Sequence, residues 1–87
     1  MEYAKVYVGM LVRVSAEGRL TPVAVLWENG REYEVDRVLR VRRIPPERVG
    51  GIMTERYDVV MRGRGKTLYR EEDSGRWFVE TPLTRRS

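Results

Sequence analysis

The side chains able to do chemistry in this sequence are carboxylates, hydroxyls and cations. Histidine and cysteine are both absent. That removes the commonest general base, the thiol nucleophile, any disulfide and the usual transition-metal ligands together. Carboxylates close in sequence include Glu32 with Glu34, and Glu71, Glu72 and Asp73. Each set stands beside arginine at strand or turn spacing, as solvated faces and cross-strand ion pairs do, and no hydroxyl is placed beside a base. No catalytic residue, cofactor or metal site is expected, and the chain reads as a non-enzyme.

Arg62 to Thr67, RGRGKT, ends as a phosphate-binding loop ends. The full pattern needs a glycine at position 60, which is Val60, and it needs a helix to follow. The residues after Lys66 alternate as a strand does, so the segment is expected to be a glycine-rich hairpin turn. Its cations remain of interest. Arg62, Arg64 and Lys66 ring this turn, and Arg40, Arg42 and Arg43 end an earlier strand. Brought together, the six make a basic edge for phosphate contacts, with Tyr57, Tyr69 and Trp77 as stacking surfaces. A net charge of +4 from 17 basic and 13 acidic residues permits an anionic partner without demanding one.

The elements that must position these groups have a hydrophobic period of two almost everywhere. Val6, Val8, Met10, Val12 and Val14 share one face of a long first strand, with a kink expected at Gly9. Leu20 to Trp27 form a second. Asn29-Gly30 suits a two-residue type I′ turn, which sets Glu28 opposite Arg31, Leu26 opposite Tyr33 and Ala24 opposite Val35. In that register Ala24, Leu26, Tyr33, Val35, Leu39 and Val41 are the core. Val23, Val25 and Trp27 then fall on the other face with Glu32, Glu34 and Asp36, a half-apolar surface suited to a partner or a second copy. Pro45-Pro46 ends the third strand, and one short helical turn is admitted near residues 45–50. Thr54 to Arg62 alternate again. A hairpin around Asp73-Ser74-Gly75 is expected to set Tyr69 beside Val79 and Glu71 beside Trp77.

About six strands at this spacing predict an all-β antiparallel meander, a strongly bent sheet or small SH3-like barrel. One domain is expected over residues 1–81, with a flexible tail over 82–87. No apolar run of ~18 residues offers a membrane span, and the first ten residues do not resemble a signal peptide. A cytoplasmic protein is the expectation.

Two stretches, PVAVLWENGREYEVDRVL (Pro22 to Leu39) and RYDVVMRGRGKTLYREEDSGRWFVE (Arg56 to Glu80), resemble a group of small bacterial β-rich domains of unknown function. The shared features are a Trp, a short glycine-containing turn, Arg-x-Tyr-x-Val, and later a tyrosine-bearing strand, a turn and Arg-Trp. Here they are Trp27, Gly30, Arg31, Tyr33 and Val35, then Tyr69, Arg76 and Trp77. The insertion around Pro45-Pro46 departs from the pattern. The resemblance implies a small β-rich bacterial protein and brings no activity, ligand or site. The functional expectation is a non-catalytic binding module acting on an unknown protein partner, or by homodimerisation, through Val23, Val25 and Trp27. The alternative is a small barrel that binds nucleic acid along its arginine-rich edge.

Overall fold

The structure, a computed structural model, describes residues 2–82. Seven strands form one antiparallel sheet: β1 (Tyr3–Val14), β2 (Leu20–Leu26), β3 (Glu32–Glu34), β4 (Arg37–Ile44), β5 (Thr54–Met61), β6 (Arg64–Glu71) and β7 (Trp77–Pro82). Their order across the sheet is β3-β2-β1-β7-β6-β5-β4. The all-β meander with a strongly bent sheet is what the chain forms. β3 and β4 are the two halves of the expected third strand. Val35 donates its N–H to Val23 at 2.8 Å, and Asp36 donates to Val60 at 2.8 Å. Within one residue the chain leaves one end of the sheet and joins the other, so the sheet must curl into a half-barrel.

β1 is divided in the same way. Tyr3 to Val8 pair with β7, and Gly9 to Val14 pair with β2. Gly9, where a kink was expected, is the first residue of the new pairing, and a Cβ there would lie 3.1 Å from the Leu26 Cβ. The bulge itself falls at Leu11/Val12, where Val23 is the extra residue of β2.

The β2–β3 hairpin corrects the expected register by one residue. Leu26 pairs with Glu32, Val25 with Tyr33 and Ala24 with Glu34. The loop holds three residues, closed by the bond from the Trp27 N–H to the Arg31 carbonyl at 2.9 Å, with Gly30 at φ +85°. A one-residue slip turns every side chain to the opposite face. Here it sends Val25, Trp27, Tyr33 and Val35 inward together, a larger apolar set than Ala24 and Leu26 would supply, while Ala24, expected in the core, is buried all the same at 2% exposed. The inner face packs around Val25, Tyr57, Val59, Leu68 and Trp77, with Val8, Met10 and Val38 against them. Leu39 and Val41, expected in the core, are 57% and 48% exposed. Leu39 is the bulged residue of β4, and β4 ends the sheet.

The last hairpin is also shifted by one. Tyr69 faces Phe78 and Arg70 faces Trp77, because the loop runs from Glu72 to Gly75 and closes on the bond from Glu71 N–H to the Arg76 carbonyl at 2.9 Å. Trp77 thereby enters the core. Phe78 falls on the outer face, stacked on Tyr69 at 5.0 Å and edge-on to Tyr7 at 5.9 Å. The short helical turn near residues 45–50 does not form: the chain bends and closes one turn, Gly51 N–H to Arg48 carbonyl, through Gly50 at φ +84°. β7 runs to Pro82, and the expected tail lies, from residue 83 on, outside the described residues. No helix among the described residues is long and apolar enough to cross a membrane.

Candidate binding cleft

RGRGKT forms a tight hairpin. Met61 pairs with Arg64, so Arg62 and Gly63 alone make the turn, at φ 53° and 72°. Positive φ at both central residues is the type I′ geometry that matches strand twist. Gly63 adopts it freely, whereas Arg62 is the one non-glycine residue with positive φ among the described residues. Its guanidinium lies 5.0 Å from the Tyr33 ring centroid, a cation–π contact between the hairpin tip and β3.

From this tip β6 runs beside β5 along its whole length, and β7 runs beside β1. Between themselves β6 and β7 pair only through Tyr69–Phe78 and Arg70–Trp77. Beyond those pairs the two strands part. Arg64 to Leu68 and Val79 to Pro82 have no ladder partner on their facing edges among the described residues. The gap opens a cleft of about 1220 Å³. Arg64, Lys66 and Leu68 line one wall, Val79, Glu80 and Thr81 the other, and Val25, Trp27 and Tyr33 the floor.

Which backbone groups point into the gap follows from the hairpin. A two-residue turn closes on a hydrogen-bonded pair, and antiparallel pairs then alternate. Arg64, Lys66 and Leu68 therefore bond to β5, while Gly65 and Thr67 direct their N–H and C=O groups away from it. The same alternation, continued through Tyr69–Phe78, directs the N–H and C=O of Glu80 toward β6. The Glu71 to Arg76 bond keeps this parity.

Gly65 sits in this open edge with a backbone that any residue can adopt. A Cβ built on it meets nothing within 4 Å. Nothing among the described residues requires glycine there. A strand glycine of this kind marks the close approach of another backbone or a ligand.

The six expected phosphate contacts do not form one edge. Arg40 and Arg42 lie on the outer face of β4, across from Asp58 and Arg56. They reach Asp58 at 3.3 and 3.9 Å, and Arg56 reaches its other oxygen at 3.0 Å. Hydrogen bonds from the Arg56 guanidinium first, and then from that of Arg40, hold the Asp58 carboxyl below its usual range. Arg43 grips Glu72 through two bonds of 2.8 and 2.9 Å and lowers that carboxyl likewise. Arg64 and Lys66 project on the inner side, so the sheet stands between them and Arg40 and Arg42. Arg62, Arg64 and Lys66 make no salt bridge to any described residue.

The expected stacking aromatics are already engaged. Tyr57 and Trp77 are buried with ring centroids 4.9 Å apart. Burial, with the Glu55 charge, pushes the Tyr57 phenol up to about 12. Tyr69 is covered by Phe78. The expected interaction face is likewise turned inward: Val25 is 4% exposed in the core, Trp27 packs against it, and Val23 is half-buried in the β2 bulge. The residues that sequence reasoning missed are Tyr33, Gly65, Glu80 and Thr81. Gly65 carried the one legible signal, as a glycine inside an alternating strand two residues beyond the turn.

The outer face holds a second ordered cluster. Glu71 is 3% exposed and accepts bonds from the Lys5 Nζ at 2.9 Å and the Tyr7 hydroxyl at 3.0 Å. The Arg76 guanidinium lies 3.4 Å from the Tyr7 ring centroid. Every buried side-chain polar atom among the described residues has a partner, which marks this cluster as a clamp between β1 and β6 across β7. No family model, curated protein or solved structure matches the chain.

Proposed function

We propose that the protein is a non-catalytic binding module that takes an extended polypeptide segment into the β6–β7 cleft by strand addition. One observation carries this reading: two strands of a single sheet present facing edges without ladder partners. Unpaired edges are templates for a further strand, and main-chain hydrogen bonds supply the affinity in such recognition. Gly65 supports it independently, because a close-approaching backbone is what that position accommodates.

Nucleic acid is the second reading, favoured by the cations Arg62, Arg64 and Lys66, which make no salt bridge to any described residue, and by the Tyr33 ring under Arg62 in the same cleft. It is the weaker one. Glu80 stands on the opposite wall, and Arg40, Arg42 and Arg43 are committed to Asp58 and Glu72.

Fluorescence anisotropy separates the two. An array of labelled extended peptides of about eight residues, alternating polar and apolar, is titrated beside oligothymidylate at low salt. Saturable binding of a peptide, abolished when its alternate residues are N-methylated, is the expected result. Binding of oligothymidylate alone, weakening steeply as salt rises, would overturn strand addition in favour of nucleic acid.

A further inference from the structure

The cleft also specifies the charge pattern of what it takes. A strand lying between β6 and β7 turns its side chains alternately to the inner and outer faces of the sheet. Its inward side chains meet Arg64, Lys66 and Leu68 in turn, going from the open rim to the closed end at Tyr69–Phe78. The first two are cations with no carboxylate partner among the described residues, and Arg62 stands over Tyr33 at the same rim. The third is apolar and buried, with Val79 opposite and Val25 beneath. The outward side chains meet Gly65 and Thr67 on one side and the carboxylate of Glu80 on the other.

We infer that the ligand is an acidic extended peptide whose inward positions, read from the rim, run acid, acid, apolar, and whose intervening outward positions carry no acid. The inference rests on strand addition in this cleft and adds to it the side-chain code. Alternate carboxylates neutralise Arg64 and Lys66, and the apolar residue extends the packing around Leu68. An outward carboxylate would meet Glu80 at close range, where like charges across a sheet repel.

The test uses peptides of about eight residues with glutamate, threonine or lysine at the two inward rim positions, each made in both chain directions. The glutamate peptide is expected to bind roughly five- to tenfold tighter than the threonine peptide, with the difference shrinking as salt rises. The lysine peptide is expected to bind weakest. The double substitution Arg64→Glu with Lys66→Glu alters two exposed positions and should reverse the order in favour of lysine.

Equal binding of the glutamate and threonine peptides overturns the charge code and leaves strand addition standing. Failure of every peptide in both directions overturns both. Tighter binding of oligothymidylate, with displacement of the glutamate peptide, overturns the assignment to polypeptide.

Discussion

At the scale of single residues, two positions at the cleft, Arg62 and Gly65, carry choices that the free fold does not favour. Arg62 holds a left-handed backbone that asparagine or glycine adopts with less strain. Arg62→Asn should raise the stability of the free protein by roughly 0.5–1 kcal/mol in urea denaturation while weakening capture of an acidic peptide. Gly65→Ala makes the same kind of trade. With open space around its Cβ, alanine should stabilise the free strand by roughly 0.5–1 kcal/mol and reduce peptide affinity. A loss of stability in Gly65→Ala would mean that the glycine serves the fold.

Glu71 belongs to the fold itself. The hydrogen bond from Lys5, opposed by burial, leaves its carboxyl below the ordinary value. Its contribution is therefore present above the unfolded pKa of ~4.3 and is lost as pH falls through the folded value. Glu71→Gln should cost about 1–2 kcal/mol at neutral pH, because the half-exposed Lys5 and Tyr7 recover water. It should also flatten the acid limb of a stability–pH curve. Tyr57 has the opposite sign. Its raised pKa of about 12 favours the folded state up to the unfolded value of ~10, and that contribution disappears as pH climbs through 12.

At the scale of elements, period-two alternation made nearly every strand legible, and the turns decided what it could not. Asn29-Gly30 is a strong two-residue hairpin signal, yet the turn takes three residues, Glu28 to Gly30. Local turn chemistry favours the shorter loop, and burial of Val25, Trp27, Tyr33 and Val35 together outweighs it. A sequence does not show that competition, because both registers alternate perfectly. The same one-residue ambiguity exchanged Phe78 for Val79 opposite Tyr69. The partner change of β1 is legible only at Gly9, whose missing Cβ lets Leu26 approach. Gly9→Val should therefore cost about 1–3 kcal/mol and loosen the β1–β2 pairing, seen as faster amide exchange along Gly9 to Val14. Unchanged exchange there would mean that β1 bends without needing the glycine.

At the scale of the whole molecule, the half-barrel follows from the passage at Val35 and Asp36, which ties the first and last strands of the sheet together. Six short connections then leave β6 bound to β5 and β7 bound to β1, with two pairs joining them. The cleft is thus a product of topology. That is why residue patterns pointed at its cations, Arg62, Arg64 and Lys66, without revealing their setting. The other three candidate arginines were legible as charges and not as ion-paired ones, since Asp58 and Glu72 reach them only through the sheet.

The central claim is that a polypeptide backbone completes the sheet between β6 and β7. Amide hydrogen exchange by NMR, with and without the acidic alternating peptide, reads it most directly. The amides of Gly65, Thr67 and Glu80 should slow on binding, while those of Arg64 and Lys66, already bonded to β5, stay unchanged. Peptide binding that leaves Gly65, Thr67 and Glu80 exchanging as before, or that protects the β4 edge instead, would contradict it.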